Sequence, residues 1–201
     1  MPSQRVMLFV DYQNSYWAAR DSFYDTTALW HWDGQFNPRR VGEYLVETSP
    51  YDRTLGGVRV YRGIPSPKFD SKGYGAARAQ NDAWSKEIGT TVVTRPLRYP
   101  SDYPRSKAEE KGIDVSLAVD FVMGAVKGWY DVGIIMSLDT DLRPALEVVA
   151  SELHGVRVEV AAWQRPDVYS PRLTVKGMNI WCHWLGPEVY EAVEDSIDYT
   201  K

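Results

Sequence analysis

VMLFVDYQN, at residues 6–14, places five apolar residues directly before an aspartate. A short and wholly apolar run of this kind is typical of a parallel strand that is buried on both faces. In an open α/β sheet, ligands bind in the crevice outside the carboxyl ends of the strands. We therefore predict a buried strand at Val6–Val10 and a functional position at Asp11, where that strand ends.

Two further acidic motifs follow the same logic. IIMSLDTD, at residues 134–141, places Asp139 and Asp141 after a second apolar run, and KGID, at residues 111–114, places Asp114 in the first turn of a predicted helix. Each aspartate alone could be a helix cap or a favourable charge at a helix start. Together they should approach one edge of a parallel sheet, where carboxylate oxygens suit Mg²⁺ or Mn²⁺.

Strand and helix patterns alternate along the chain. The predicted strands are Val6–Val10, Gly57–Tyr61, Thr91–Thr94, Val132–Met136 and Val156–Ala162, and the predicted helices are Ser15–Arg20, Arg39–Glu47, Gly75–Ile88, Gly112–Val126 and Asp141–Leu153. This alternation predicts an α/β fold, a Rossmann-like three-layer sandwich with a mostly parallel central sheet.

The segments between and after these elements are less regular. Asp21–Pro38 is aromatic and rich in turn residues, which indicates a long ordered loop, and Arg95–Arg105 carries three prolines and is predicted to be a loop. Val175–Leu185 is apolar and could be a sixth strand or a packing element. We predict one domain over residues 1–186, followed by an acidic helix or tail over residues 187–201.

Composition bounds the class of protein. The chain has 201 residues, of which 44% are hydrophobic and 25% charged, as in ordinary soluble globular proteins. Its single cysteine, Cys182, excludes an intrachain disulfide and a thiolate metal cage, and fits a reducing, cytoplasmic compartment. No signal peptide and no run long enough to span a membrane are recognised, so we expect no membrane partner.

Charge is unevenly distributed. The net charge is −4, but residues 187–201 hold five acidic residues and one lysine, so the rest of the chain is balanced. Within it, Arg98 and Arg105 flank Tyr99 and Tyr103 in a basic loop that leads to Lys111. Stacking combined with phosphate contacts is how single strands are held. Arg98 and Arg105 are therefore candidate nucleic-acid contacts, and the two tyrosines could equally be structural.

Other aromatic and cysteine positions are interpreted as structural. Trp17, Trp84 and Trp163 are predicted to be core residues, and Cys182 is predicted to be buried. His31, His154 and His183 are scattered along the chain and suggest no zinc site.

The three motifs, taken in order, resemble the NYN domains of the PIN-like nuclease superfamily, close to the LabA/DUF88 branch. The family pattern is a strand then Asp-x-x-Asn, a Lys-x-x-Asp that opens a helix, and a strand then Ser-x-Asp-x-Asp. Here these are residues 11–14, 111–114 and 137–141, and the match extends over roughly residues 5–165. Leu138 and Leu142 depart from it, where many relatives carry Gly and Phe.

The resemblance implies a Mg²⁺- or Mn²⁺-dependent ribonuclease whose partner is nucleic acid, RNA in preference to DNA. The matched metal-binding and catalytic positions are Asp11, Asp114, Asp139 and Asp141; the matched supporting positions are Asn14, Ser137 and Lys111. Asp120 also matches a frequent acidic position, but six helical residues rotate it roughly 120° from Asp114, which places it outside the metal site.

Alternative functions use the same residues differently. The chain could be an RNA-binding or regulatory module that retains the metal pocket but does not catalyse cleavage. A phosphatase with Asp11 as nucleophile would need a second aspartate where Gln13 stands, and a receiver domain would be shorter and differently spaced. The sequence leaves open whether cleavage is endo or exo, whether one or two ions bind, and whether the protein is a homo-oligomer.

Overall fold

The computed structural model describes residues 3–24 and 29–201. Strands and helices alternate along them, as the sequence predicts. In chain order the elements are β1 (Gln4–Asp11), α1 (Tyr12–Phe23), α2 (Pro38–Glu47), β2 (Arg53–Ile64), α3 (Ser71–Ser85), β3 (Thr90–Pro96), α4 (Ile113–Val126), β4 (Val132–Met136), a 3-10 turn (Thr140–Leu142), α5 (Arg143–Glu152), β5 (Arg157–Trp163), β6 (Trp181–Leu185) and α6 (Pro187–Val193).

The six strands form one parallel sheet in the order β3-β2-β1-β4-β5-β6. Val10 near the end of β1 lies opposite Val60 of β2 on one side and Met136 of β4 on the other. The chain runs outward from β1 towards β3, and then outward from β4 towards β6. The strand order therefore reverses between β1 and β4, which is the switch point where a ligand crevice opens in such sheets.

Helices cover both faces of the sheet because successive strand side chains point in opposite directions. Leu8 and Val10 belong to a core shared with α1, α2, α3 and α6, whereas Phe9 and Ile135 belong to a second core under α4 and α5. All five residues of β4 are buried. The predicted α/β three-layer sandwich is thus confirmed, and its sheet is wholly parallel.

Several local predictions can be compared with the structure. Val175–Leu185 does contain a sixth strand, although only its last five residues are in it. The long loop predicted at Asp21–Pro38 begins later, because α1 continues to Phe23; residues 25–28 of that prediction lie outside the described residues. The predicted boundary at residue 186 coincides with the start of α6, which packs on the first core, and the division itself stays a prediction.

The tryptophan predictions were right twice and wrong once. Trp84 and Trp163 are 1% and 3% exposed, and Cys182 is buried, as predicted. Trp17 is 52% exposed, so its assignment to the core is wrong. Ser15 and Ala19 face the sheet from the same helix, and this rotation leaves Trp17 on the outer side of α1. Within the described residues, no helix has the length and apolar character needed to cross a membrane.

Candidate active site at the switch point

Asp11 lies at the point where the strand order reverses. It is the last residue of β1 and the N-cap of α1, with its Oδ1 accepting a hydrogen bond from the Asn14 backbone N–H at 3.4 Å. The side chain is nearly inaccessible, with the residue 6% exposed. Helix capping, the ordinary explanation for such an aspartate, is therefore true here, but it uses only one of the two carboxylate oxygens.

Ser137 connects Asp11 to the loop after β4. Its hydroxyl donates to Asp11 Oδ2 at 2.9 Å and accepts from the Asp139 backbone N–H at 3.0 Å. Asn14 crosses the same gap, since its Oδ1 accepts from the Leu138 N–H at 2.8 Å. The two predicted supporting residues thus tie together the β1 and β4 ends, and they hold Asp11 and Asp139 on facing sides of the crevice.

Asp139 and Asp141 differ in their surroundings although they are two residues apart. Asp139 is half-buried and caps the 3-10 turn, with its Oδ1 accepting from the Asp141 N–H at 2.9 Å. Asp141 itself is exposed within that turn. The structure therefore places Asp139 beside Asp11 and leaves Asp141 at the rim, where it can reach a ligand only from the solvent side.

The KGID motif, at residues 111–114, is directly preceded by a carboxylate, Glu110, that the sequence analysis does not single out. Gly112, at φ +74°, lets the chain turn into α4, and Asp114 lies half-buried in the first turn of that helix. Glu110 reaches inward just before this turn and accepts a hydrogen bond from the Gly63 backbone N–H. A Cβ at Gly63 would collide with the side chains of Leu97 and Glu110, so this close approach requires glycine.

Burial and the negative charges of neighbouring acids raise the pKa values of Asp11 and Glu110. Burial raises the pKa of Asp11 to about 6; the hydrogen bonds from Ser137 and Asn14 oppose the rise, and the negative charges of Glu110 and Asp139 add to it. Burial likewise raises the pKa of Glu110, with Asp114 adding to the rise, whereas the Gly63 hydrogen bond and the Arg62 charge oppose it. Asp11 is thus a buried carboxylate whose neighbours are mostly negative.

The predicted basic and aromatic residues lie farther from these acids. Lys111 is exposed and its Nζ is 3.5 Å from Glu109 Oε2, so it pairs with a neighbour in sequence. Arg98 and Arg105 are exposed, and Arg98 pairs with Glu109 through backbone hydrogen bonds. Their assignment as substrate contacts stays a prediction.

Tyr99 and Tyr103 form a small cluster with Phe69. The Tyr99 ring stacks on Phe69 at 4.4 Å between centroids, and Tyr103 meets both rings edge-on at 5.5 and 4.9 Å. The Tyr99 hydroxyl also accepts from the Ser66 N–H at 3.0 Å. These contacts give both tyrosines a structural role in the loop.

Asp120, which was placed outside the site, has its own partners. It accepts hydrogen bonds from Arg59 and from the Tyr61 hydroxyl, both at 2.8 Å. Asp120 therefore faces β2 side chains and not the crevice, as its rotation from Asp114 around α4 predicts.

The donor set fits a divalent cation in one specific way. Within residues 3–24 and 29–201, no three histidine, cysteine or acidic side chains converge closely enough to form a ready-made cage. Mg²⁺, however, usually keeps several waters and binds through one or two carboxylates together with substrate phosphates. Asp11 and Asp139, linked through Ser137, supply such a pair, and a cation there would relieve the unfavourable burial of the Asp11 charge.

Two residues of this site, Glu110 and Arg62, are not identified by the sequence patterns. Glu110 stands in the charged run Glu109-Glu110-Lys111, whose composition does not indicate which member points inward. Arg62 follows the predicted strand Gly57–Tyr61 and carries no motif of its own, yet its charge acts on Glu110. The one available signal is the adjacent Gly63, because a glycine within a strand is typical of a close backbone approach.

Comparison with known proteins supports the same family. The chain has a TM-score of 0.52 and 20% identity to the crystal structure of a protein of unknown function from Vibrio parahaemolyticus, with 80% of this chain and 82% of that chain covered. This likeness shows the fold alone. No curated protein matches the chain. The model of the NYN domain matches residues 5–173, which include all three acidic motifs. The chain therefore belongs to the NYN domain family, and with it to the PIN-like nuclease superfamily.

Proposed function

We propose that the protein is a Mg²⁺- or Mn²⁺-dependent nuclease that hydrolyses phosphodiester bonds in single-stranded RNA, and that it is close to the LabA/DUF88 branch of its family. The observation that carries the proposal is the buried Asp11 carboxylate at the switch point, joined through Ser137 to Asp139 and surrounded by further acids. A metal-dependent nuclease needs such a pocket because it must bind a cation beside an anionic substrate.

Each residue has a defined task in this proposal. Asp11 and Asp139 would hold the cation directly, with Asp114 and Asp141 as direct or water-mediated ligands. When bound, the cation lowers the pKa of a water nucleophile and neutralises charge on the phosphate. Asn14 and Ser137 keep the two principal carboxylates in position through hydrogen bonds to the facing loop. Glu110 adds a further oxygen on the α4 side of the crevice.

A cleavage assay tests the proposal. Labelled single-stranded RNA and a matched DNA are incubated with the protein in Mg²⁺, Mn²⁺ or EDTA, and binding is measured in parallel. We expect Asp139→Asn to bind RNA but to cleave it at least tenfold more slowly, about 1.4 kcal/mol of transition-state stabilisation. Asp82→Asn, on the exposed side of α3, is the matched control and should cleave like the parent. Equal cleavage by Asp139→Asn would refute the assignment.

A binding module is the second candidate, and one observation favours it. The described acids do not converge into a three-residue cage, so catalytic ligands would have to assemble around the ion and the substrate. If the parent protein binds RNA but cleaves neither strand in either metal, this second function is the correct one.

A further inference from the structure

A large cleft leads away from the acids on the α1 and α3 side. Its volume is about 830 Å³, within the range of about 300–1,000 Å³ that is typical of ligand sites. Tyr12 and Gln13, which directly follow Asp11, line it together with Glu110. The cleft therefore adjoins the crevice at the switch point, and we call it the Arg62 cleft after the cation in its wall.

Arg62 is a cation without a carboxylate partner. Its Nη1 donates to Gln80 Oε1 at 2.6 Å and to Asn81 Oδ1 at 3.3 Å, and both acceptors are neutral amides. Its Nε is buried without a hydrogen-bond partner. In the described part of the chain, no carboxylate oxygen lies within 4.0 Å of its nitrogens.

The position of Arg62 is fixed by its surroundings. The guanidinium lies 5.0 Å from the Tyr12 ring centroid and 5.6 Å from that of Trp84. Contact with the two rings, together with hydrogen bonds to two amide acceptors, restricts its rotation before any ligand arrives. A guanidinium that is already ordered and partly desolvated binds phosphate strongly, because its planar donors match the phosphate oxygens and little entropy is lost.

The rest of the cleft carries the other features of a strand-binding surface. Lys72 and Lys107 both line the cleft and are exposed. The carboxylate of Asp70, which also lines it, is used to cap α3 through the Gly73 N–H at 2.8 Å. The cleft thus presents basic side chains to solvent next to the acids.

Trp17 stands at the rim of this cleft. It is 52% exposed and its indole meets the Tyr16 ring edge-on at 5.1 Å. The Arg20 guanidinium lies 5.2 Å from the Trp17 ring centroid and orders it further. An exposed but ordered indole offers a flat surface on which a nucleobase can stack.

We propose that the Arg62 cleft binds the part of a single-stranded nucleic acid that flanks the cleaved bond, with Arg62 on a backbone phosphate and Trp17 under a base. The inference rests on the proposed nuclease function, which it deepens by assigning the substrate path. The ligand is a polymer in this proposal, because the anion site and the stacking site lie in one open cleft that adjoins the acids. A free mononucleotide carries one phosphate and one base and would leave the rest of the cleft unfilled.

Binding without cleavage tests the path. A labelled short single-stranded RNA is titrated in EDTA and followed by fluorescence anisotropy at several salt concentrations. We expect Arg62→Gln to weaken binding at least tenfold and to reduce the slope of log affinity against log salt by about 0.7, the value for one phosphate contact on a single strand. Trp17→Ala should weaken binding roughly tenfold with the slope unchanged, and Trp17→Phe should restore most of the affinity.

Two controls keep the result interpretable. Lys176→Gln removes an exposed charge outside the cleft and should leave affinity and slope as in the parent. If Arg62→Gln fails to fold, as judged by thermal melting, the double variant Lys72→Gln/Lys107→Gln takes its place, because both lysines are exposed. It should weaken binding and lower the salt slope.

The outcomes separate this inference from the nuclease proposal. Folded Arg62→Gln and Trp17→Ala variants that bind RNA like the parent would overturn the cleft assignment, even if the parent cleaves RNA. A mononucleotide that competes as well as the oligonucleotide would also overturn it. RNA binding that depends on Arg62 and Trp17 supports the cleft even if no cleavage occurs, and in that case only the nuclease proposal fails.

Discussion

A buried carboxylate lies at each end of the sheet, and the two differ in whether a cationic side chain is bound to them. Towards the amino ends of the strands, Glu159 of β5 is 2% exposed and meets Arg53 of β2 through two hydrogen bonds of 2.6 and 3.0 Å. His183 Nε2 lies 2.7 Å from it as well. At the carboxyl ends, Asp11 is 6% exposed and has a hydroxyl and a backbone N–H, but no cation, as its direct partners.

Their pKa values record this difference. Burial by itself raises the pKa of Glu159, but hydrogen bonds from His183 and Arg53 outweigh burial and lower it to about 2. Burial raises the pKa of Asp11 to about 6, and its own hydrogen bonds do not offset the rise. The fold thus neutralises one buried charge internally and leaves the other unneutralised, which teaches that burial alone does not mark a functional acid.

The largest loss of stability is expected at the amino ends of the strands, where the Glu159 charge is paired with Arg53. Arg53→Met removes the partner of Glu159 and leaves a buried carboxylate without its guanidinium, so we expect a loss of about 3–5 kcal/mol in the free energy of unfolding. Urea unfolding at pH 7 measures it. Arg5→Met is the control, because Arg5 and Asp131 form an exposed pair whose loss should cost less than about 1 kcal/mol. Equal losses in the two variants would mean that the Glu159 pair is not structurally special.

A divalent cation should stabilise the protein only through the acids at the carboxyl ends of the strands. We expect Mg²⁺ or Mn²⁺ at a hundred times its Kd to add about 2.7 kcal/mol to the stability of the parent, because it binds the native state. Thermal melting with and without metal measures the increment. The double variant Asp11→Asn/Asp139→Asn should lose it, and Asp82→Asn should keep it. An increment that survives in the double variant places the cation elsewhere.

Removing the Asp11 charge should stabilise the metal-free protein. A folded pKa of about 6 against an ordinary 3.8 means that the native state holds the proton more tightly than the unfolded state, so stability falls as pH rises from about 4 to about 6 and stays lower above that. Asp11→Asn should therefore be more stable than the parent at pH 8, by about 1–3 kcal/mol.

Urea unfolding across pH 4 to 8 checks the sign. The difference between Asp11→Asn and the parent should shrink below about pH 5 as the parent carboxyl becomes protonated. Glu159 has the opposite behaviour, since its lowered pKa contributes stability above about 4.5 that is lost as pH falls towards 2. An Asp11→Asn variant that is less stable than the parent at pH 8 would contradict the account of Asp11 as an uncompensated charge.

The smallest effect is expected at the basic loop. Arg98→Ala and Arg105→Ala remove exposed charges that stand outside the Arg62 cleft. If the loop contacts the nucleic-acid backbone, each lost contact should lower the slope of log affinity against log salt by about 0.7 on a single strand. Anisotropy titrations over a range of salt measure the slope. A slope equal to that of the parent would remove both arginines from the substrate surface.

The sequence predicted the fold because the apolar runs and their spacing are local signals. The run at Val6–Val10 and that at Val132–Met136 both became buried strands, and the acids that follow them do flank one crevice. The strand order did not follow from the sequence, since pairing between β1 and β4 joins residues more than a hundred positions apart. Charged neighbours in the sequence hid Glu110, and the rotation of α1 that leaves Trp17 exposed could not be read from its residue type.

Long-range charge compensation was equally out of reach. Arg53 and Glu159 are ordinary charged residues in the sequence, and only the fold brings them together across the sheet. Arg62 gave no sign that its partners would be amides and rings instead of a carboxylate. Partner identity depends on tertiary contact, which a pattern along the chain cannot encode.

The Ser137 hydroxyl carries a consequence for spectroscopy. A backbone N–H can only donate, so the bond from Asp139 fixes the serine oxygen as the acceptor and directs the single hydroxyl proton towards Asp11. The three groups form a polarised chain with one direction. Protonation of Asp11 weakens its pull on the serine proton and, through it, the bond to the Asp139 amide. The amide chemical shift of residue 139 is therefore a built-in reporter of the charge state of residue 11.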